Sequence, residues 1–219
     1  MMRKAFIFDL DGVIVDTAKY HFLAWKNLAN SLGIHFTAEQ NEQLKGVSRI
    51  QSLKKILEWG DKTISEKEFT QLMAVKNEEY LAYISKMGTN EILQDVPRVL
   101  DYLISKKQAV GLGSASKNAR IILKRVSLYD RFDTIVDGTN VSKAKPDPEV
   151  FLLAAKDLGV SAKNSIVFED SVAGIEAANT AGMISIGIGD KKILHKADYI
   201  FTDFTEIKEE FINQLIKNN

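Results

Sequence analysis

The chain of 219 residues carries 29 Lys and Arg and 29 Asp and Glu residues, so its formal net charge at pH 7 is zero. This balance argues against a nucleic acid or an anionic membrane as a partner recognised by bulk charge, and we expect neither. The absence of cysteine excludes disulfides, thiolate nucleophiles and zinc–thiolate sites. No apolar stretch approaches the ~20 residues of a membrane span, and no signal-peptide pattern is present, so a soluble cytoplasmic protein is expected.

The chain begins with a short apolar run, residues 5–8, followed by Asp9, Asp11 and Gly12. Such a run predicts a strand buried on both faces. If the extended path continues past the strand end, both carboxylates lie on one side. There they repel each other unless a cation such as Mg²⁺ lies between them. The alternative, that both are solvated residues before a turn glycine, stays open at this point.

Residues 17–87 have a helical pattern throughout. Phe22, Trp25, Leu28 and Leu32 follow one another at three- and four-residue spacing, and similar stripes cover residues 50–57 and 69–84. Because no strand pattern interrupts this block, it predicts a small helical cap domain inserted after the first strand. We expect the cap to span residues 16–87, with hinges near residues 15–17 and 86–88.

Strand and helix patterns alternate after this block. Strands are predicted near residues 110–113, 134–136, 165–168, 184–188 and 199–201, and a last helix over residues 206–216. Such alternation is typical of a parallel sheet with helices on both faces. The predicted fold is therefore α/β, with a doubly wound parallel sheet formed by residues 1–15 and 88–219 and the helical cap as an insertion.

Several predicted strands end in polar or acidic residues, namely Asp9, Ser114, Asp137 and the pair Glu169 and Asp170. The carboxyl ends of parallel strands meet at one edge of the sheet, and ligands of open α/β sheets bind there. A single polar strand end is unremarkable because turns are polar. Several carboxylates at one edge favour a functional site.

These carboxylates, with Ser114, Lys117 and Lys145 nearby, favour magnesium-dependent phosphoryl transfer. We expect Asp9 to be the nucleophile and to form an aspartyl-phosphate, while Asp11 acts as general acid and base. Lys145 is expected to supply positive charge to the transferring group. Ser114 precedes a predicted helix start, which favours an oxyanion.

The Mg²⁺ ion is expected to be held by Asp9, Asp170, the main-chain carbonyl of Asp11 and water, with Glu169 in the same shell. Two alternatives stay open for single residues in this region. Lys145 taken alone also fits a solvated loop lysine, and Ser116 also fits a simple helix cap.

The core motifs resemble those of the haloacid dehalogenase superfamily of phosphotransferases. The order and spacing match along nearly the full chain, in residues 9–13, residues 114–116, Lys145 with Pro146, and Glu169 with Asp170. The helical block after the first strand is similar to that superfamily's small cap. The resemblance implies an aspartyl-phosphate mechanism but does not specify the substrate.

Within the superfamily, the chain is most similar to the β-phosphoglucomutase family, through residues 16–22, 24–26, 44–49 and 114–118. This resemblance implies two phosphate sites separated by a sugar. The substrate-binding residues that it implies are Thr17, His21, Trp25, Lys45, Gly46, Val47, Ser48, Arg49, Lys76, Ala115, Ser116, Lys117 and Asn118. Without it, Arg49 fits a surface residue at a helix start and His21 fits a packed helix histidine.

The resemblance implies an isomerase that interconverts β-glucose 1-phosphate and glucose 6-phosphate, with Mg²⁺ as cofactor and small sugar phosphates as partners. We expect a monomer. The first alternative is a sugar-phosphate phosphatase, which would share every core residue. The second is a receiver-type signalling module, which would place its phosphorylated aspartate on a middle strand and would have about half this length.

Overall fold

The computed structural model describes residues 3–217. Their strands form a six-stranded parallel sheet. Its strands are β1 (Ala5–Phe8), β2 (Ala109–Gly113), β3 (Thr134–Val136), β4 (Ser165–Glu169), β5 (Ile184–Ile188) and β6 (Tyr199–Phe201). The strand order is β3-β2-β1-β4-β5-β6, and every neighbouring pair is parallel. The prediction of a doubly wound parallel sheet is thus confirmed, with β1 at its centre.

Helices lie between the strands and cover both faces of the sheet. The helical block contains α1 (Ala18–Ser31), α2 (Ala38–Glu42), α3 (Arg49–Trp59) and α4 (Glu66–Ile84). The helices associated with the sheet are α5 (Val96–Ser105), α6 (Ala119–Arg125), α7 (Glu149–Asp157), α8 (Val172–Thr180) and α9 (Glu209–Lys217).

The alternation of side chains along β1 supplies both halves of the core. Phe6 and Phe8 pack in a cluster that includes residues of α5, α6 and α9, whereas Ile7 packs with residues of α7 and α8 on the opposite face. The Phe8 and Phe168 rings stack with centroids 4.5 Å apart. Because β1 is buried on both faces, the residues after Phe8 are fixed in position.

The helical block has a hydrophobic core of its own. Trp25 and Leu28 of α1 pack with Leu53 and Ile56 of α3, all of them buried. No strand interrupts residues 17–87, so the predicted helical insertion is confirmed, while its boundaries at residues 16 and 87 remain a prediction. Within residues 3–217, none of the helices has both the length and the apolarity needed to cross a membrane.

Two helix assignments differ from the predictions. The short helix α2 was not predicted, although Thr37 and Gln40 form a reciprocal capping box at its start that the sequence pattern allows. The last helix starts at Glu209 instead of residue 206. A 3₁₀ turn over Phe204–Glu206 precedes it, and Asp203 accepts a hydrogen bond from the Thr205 amide, 2.8 Å away.

Candidate active site

The two aspartates that follow β1 lie at the carboxyl edge of the sheet, between β2 and β4. The Asp9 amide continues the parallel ladder by donating to the Phe168 carbonyl, 2.9 Å away. The Asp9 residue is only 5% exposed. The alternative of a solvated turn is therefore wrong for Asp9, because its carboxylate lies inside the protein.

A buried ion-pair cluster surrounds the Asp9 carboxylate. The Lys145 ammonium lies 2.6 Å from Asp9 Oδ1 and 2.6 Å from Glu169 Oε1, and its side chain is fully buried. The alternative of a solvated lysine at 145 is therefore wrong. The Lys145 ammonium also lies over the Phe151 ring, with its nitrogen 4.7 Å from the ring centroid. Lys145 thus brings a fixed positive charge to the predicted nucleophile.

Glu169 is placed to hold Lys145. Its second oxygen, Oε2, accepts hydrogen bonds from the Ser171 amide at 2.7 Å and the Ser171 hydroxyl at 2.9 Å. The Ser171 hydroxyl in turn caps α8 by accepting from the Gly174 amide. Since both Glu169 oxygens have protein partners, direct metal ligation by this residue would have to displace one of them.

Burial controls the charges in this cluster. It raises the pKa of Asp9 to about 7, with Lys145 opposing the rise and Glu169 adding to it. Burial and Glu169 also raise the pKa of Asp170 well above its ordinary value. Burial lowers the pKa of Lys145, but Asp9 and Glu169 outweigh this effect, so the net shift is upward and the lysine stays protonated. The single positive charge of Lys145 cannot balance the two carboxylates of Asp9 and Glu169. A further cation would neutralise the remaining negative charge.

The donors at this edge fit a magnesium ion. Among residues 3–217, no three His, Asp or Glu side chains converge as a complete metal-binding set. Mg²⁺ is usually held by only one or two carboxylates, with water and substrate phosphate completing its shell. Gly12 has φ +80°, and a Cβ there would overlap the Asp170 carboxylate. Glycine therefore allows Asp170 to approach the Asp9–Gly12 turn.

Asp11 is tied to the helical block. The Thr17 hydroxyl donates to Asp11 Oδ1, and His21 Nε2 lies 3.9 Å from the same oxygen. Thr17 is fully buried, so its side chain holds Asp11 in place. Burial raises the pKa of Asp11, with the Thr17 hydrogen bond opposing the rise. The raised pKa allows the Asp11 carboxyl to hold a proton, which the predicted role of general acid and base requires.

His21 and Lys76 form a second polar cluster on α1 and α4. Lys76 Nζ lies 3.0 Å from His21 Nδ1 and 4.6 Å from the ring centroids of both Trp25 and Tyr80. Burial, together with Lys76 and Arg49, lowers the pKa of His21 well below its ordinary value. A neutral imidazole accepts at Nδ1, which fits the contact with Lys76. The alternative of a merely packed histidine does not account for these polar contacts.

Arg49 is the first residue of α3, and the Ser48 hydroxyl caps this helix by accepting a hydrogen bond from the Gln51 amide. Burial lowers the pKa of Arg49. In the preceding turn, Gly46 has φ +70°, and a Cβ there would overlap the Ser171 hydroxyl. The Lys45 ammonium lies 3.4 Å from Asp170 Oδ2. This turn therefore meets the sheet edge. Arg49 stands at a helix start, as its alternative held, and is half-buried.

The loop after β2 is ordered by its own side chains. The Ser114 hydroxyl accepts from the Ser116 amide at 3.1 Å, and the Ser116 hydroxyl accepts from the Asn118 amide at 3.3 Å. The capping alternative for Ser116 is wrong, because the N-cap of α6 is Asn118 and has no side-chain capping bond; the Ser116 hydroxyl instead orders the turn before the helix. The Asn118 side chain donates to Asn77 of α4, 3.1 Å away.

One cavity, of about 700 Å³, lies between the helical block and the sheet edge. Most of the predicted site residues line it, from both sides: Asp11, His21, Trp25, Lys45, Gly46, Val47, Ser48, Arg49, Lys76, Ala115, Ser116, Lys117, Asn118, Lys145 and Asp170. Four predicted residues are buried beside this lining and contact it, namely Asp9, Thr17, Ser114 and Glu169.

The cavity lining includes residues that were not predicted, and one predicted residue does not join the site. Asn41, Ser52 and Tyr80 line the cavity and were not predicted. Ser52 follows Arg49 by three residues and Tyr80 follows Lys76 by four, so helical spacing could have indicated both. Asp137 lies at its strand end as expected, but its carboxylate contacts Arg120 at 3.1 Å and Thr139 at 2.6 Å instead of joining the others.

Comparison with known proteins establishes the class. Residues 6–188 match the family model described as haloacid dehalogenase-like hydrolase. The chain belongs to this family. The alternative of a receiver-type module is therefore wrong, in agreement with the predicted nucleophile directly after the first strand and with the large helical insertion.

Within the family, the chain is similar to β-phosphoglucomutases over nearly its whole length. It is 42% identical to the Bacillus subtilis β-phosphoglucomutase over 96% of this chain and 94% of that protein. A crystal structure of β-phosphoglucomutase from Clostridium difficile superimposes with a TM-score of 0.94 at 42% identity, covering 98% of this chain and 97% of the other. A phosphorylated carbohydrates phosphatase of Thermotoga maritima is 32% identical over 82% of each chain.

Proposed function

We propose that this protein is a β-phosphoglucomutase, an isomerase that interconverts β-D-glucose 1-phosphate and D-glucose 6-phosphate. The similarity to β-phosphoglucomutases over nearly the full length supports this function. The observation that carries the proposal is this cavity with its two cationic regions. Lys145 lies at the Asp9 end, and Arg49 contributes a second cation from α3.

Phosphoryl transfer begins at Asp9. A carboxylate oxygen of Asp9 attacks phosphorus, and the bond between phosphorus and the sugar oxygen breaks. Asp11 donates a proton to the departing oxygen. In the other half-reaction the free 6-hydroxyl of β-glucose 1-phosphate attacks the aspartyl-phosphate, the bond between phosphorus and the Asp9 oxygen breaks, and Asp11 accepts the hydroxyl proton, which gives β-glucose 1,6-bisphosphate. The Thr17 hydrogen bond keeps Asp11 oriented for both steps.

Asp9, Asp170 and the main-chain carbonyl of Asp11 would hold the Mg²⁺ cofactor. When bound, the ion neutralises charge on the transferring phosphoryl group. The role of Glu169 is indirect, because it fixes Lys145. The protonated Lys145 and the polar turn from Ser114 to Ser116 orient the phosphoryl oxygens.

The helical block provides the second phosphate site. A guanidinium binds phosphate through two parallel hydrogen bonds, so Arg49 suits the phosphate that is not being transferred. β-Glucose 1,6-bisphosphate would then turn round between the half-reactions and present its other phosphate to Asp9. We also expect a cytoplasmic monomer.

A sugar-phosphate phosphatase remains the alternative because the family also contains phosphatases such as the Thermotoga relative. The catalytic residues are common to both activities, so the exclusion of water from the cavity decides between them.

Isomerase activity is tested by supplying β-glucose 1-phosphate with trace β-glucose 1,6-bisphosphate and Mg²⁺, and following glucose 6-phosphate with a coupled dehydrogenase. We expect steady formation of glucose 6-phosphate, no reaction with the α anomer, and no turnover in Asp9→Asn. Release of inorganic phosphate as the main product would show a phosphatase instead.

A further inference from the structure

Asn77 links the helical block to the sheet beside the cavity. It lies on α4, directly after Lys76, and its Oδ1 accepts a hydrogen bond from Asn118 Nδ2, 3.1 Å away. Asn118 is only 7% exposed and lines the cavity. The contact joins residues 41 positions apart, one in each part of the protein.

A second contact between the two parts lies on the other side of β1. The Lys45 ammonium, in the turn before α3, lies 3.4 Å from Asp170 Oδ2. Asn118 follows β2 and Asp170 follows β4, and these strands flank β1 in the sheet. The helical block is therefore held to the sheet on both sides of the strand that carries Asp9.

These two contacts differ in chemistry. Lys45 contacts a residue proposed to hold Mg²⁺, so that contact depends on the state of the active site. The Asn77–Asn118 hydrogen bond joins two neutral amides and depends on no ion. It is therefore suited to hold the cavity closed while the aspartyl-phosphate is present, and it breaks when substrate enters or product leaves.

We propose that Asn77 is a positioning residue that keeps the helical block closed over Asp9, and that it thereby determines whether the aspartyl-phosphate reacts with a sugar or with water. This inference rests on the proposed mutase function. If the block opens, a water oxygen attacks phosphorus, the bond to the Asp9 oxygen breaks, Asp11 accepts the water proton, and inorganic phosphate leaves. Asn77 suppresses that reaction without touching the reacting atoms.

The test compares Asn77→Ala with Asn77→Asp. Alanine removes the acceptor, whereas aspartate retains an acceptor oxygen in the same place. Asn30→Ala is the matched control, because Asn30 is exposed on α1. Phosphorus NMR measures inorganic phosphate and glucose 6-phosphate formed from β-glucose 1-phosphate, with trace bisphosphate and Mg²⁺.

We expect Asn77→Ala to raise the ratio of hydrolysis to isomerisation by roughly three- to tenfold, the equilibrium effect of one lost hydrogen bond. The KM for β-glucose 1-phosphate should rise by a similar factor, with a smaller change in kcat. Asn77→Asp should return the ratio to within about twofold of wild type, and Asn30→Ala should match wild type. If Asn77→Ala folds poorly by circular dichroism, Asn77→Ser is judged by the same criterion.

A wild-type ratio in Asn77→Ala, or an equal loss of both reactions, would overturn the role of Asn77 while leaving the mutase assignment intact. Wild-type protein that releases only inorganic phosphate would overturn the proposed function and this inference with it.

Discussion

Lys145 carries its charge into a place closed to solvent, where Asp9 and Glu169 each lie 2.6 Å from its ammonium. Removing one member of a buried ion-pair cluster leaves the others uncompensated, and this typically costs about 3–5 kcal/mol. The same change removes the positive charge that we propose faces the phosphoryl group. Lys145 therefore affects both the stability of the fold and the reaction.

We predict that Lys145→Met lowers the free energy of unfolding by about 3 kcal/mol or more, as measured by urea denaturation, and reduces kcat. Lys143→Met is the control, because the Lys143 side chain is 69% exposed. This control should stay within about 0.5 kcal/mol of wild type. Equal stability of the two variants would contradict the buried placement of Lys145.

Lys76 makes stability depend on pH in a defined direction. Burial, with Arg49 adding to it, lowers the pKa of Lys76 from 10.5 to about 7. Between these two values the unfolded state binds more protons than the folded state. The contribution of Lys76 to the free energy of unfolding of the unliganded protein therefore rises with pH across this window.

We predict that Lys76→Met is more stable than wild type at pH 7, by up to the order of 4 kcal/mol. The difference should be greatest at and below pH 7 and should shrink as the pH approaches 10. Denaturation curves at several pH values measure it, with the exposed Lys86→Met as control. A difference that is constant with pH would show that Lys76 carries the same charge in both states.

At the scale of single elements, α8 depends on a glycine. A Cβ at Gly174 would overlap the Glu169 carboxylate. Alanine is favoured over glycine within a helix by about 1 kcal/mol. The overlap outweighs this preference, because Glu169 cannot move without releasing Lys145.

We predict that Gly174→Ala lowers the free energy of unfolding by about 1–3 kcal/mol and lowers kcat as Lys145 shifts. Gly182→Ala is the matched control, since it follows the same helix, has φ +69° and leaves its Cβ in open space. The left-handed backbone at residue 182 should lower the free energy of unfolding of Gly182→Ala by about 1–2 kcal/mol, and kcat should not change. Full activity in Gly174→Ala would show that Glu169 does not position Lys145.

The elements themselves were largely readable from the sequence. Residues 184–188 and 199–201 were predicted as strands with the bounds that the structure has, because apolar runs between turn residues mark strands clearly. The α2 helix was not predicted, because it spans five residues and is too short to show a periodic stripe of apolar residues. Its signal lay in the capping residues Thr37 and Gln40, not in hydrophobic spacing.

For the site, the sequence could predict which residues follow the strand ends, but not which way their side chains point. Parallel topology places Asp9, Ser114 and Asp170 at one edge, so their convergence follows from the order of elements. Side-chain direction does not follow from that order. Asp137 shares the edge, yet it contacts Arg120 of α6, a residue whose orientation depends on how α6 packs. Contacts between distant parts of the chain, such as Asn77 with Asn118, were likewise out of reach.

For the molecule as a whole, the charge at the sheet edge predicts dependence on a divalent cation. Asp9 is buried, Asp170 is mostly so, and loss of solvent around them raises the pKa of each. We predict that chelation with EDTA abolishes turnover and that added Mg²⁺ restores it. Circular dichroism should show that the chelated protein stays folded. Full activity after exhaustive chelation would contradict the proposed role of Asp170.

The central claim is that one closed cavity holds a sugar with a phosphate at each end and passes either phosphate to Asp9. Phosphorus NMR of β-glucose 1,6-bisphosphate mixed with excess enzyme and Mg²⁺ tests this most directly. We predict that β-glucose 1-phosphate and glucose 6-phosphate both appear, together with phosphorylated enzyme and little inorganic phosphate. A single monophosphate accompanied by an equal amount of inorganic phosphate would contradict the claim.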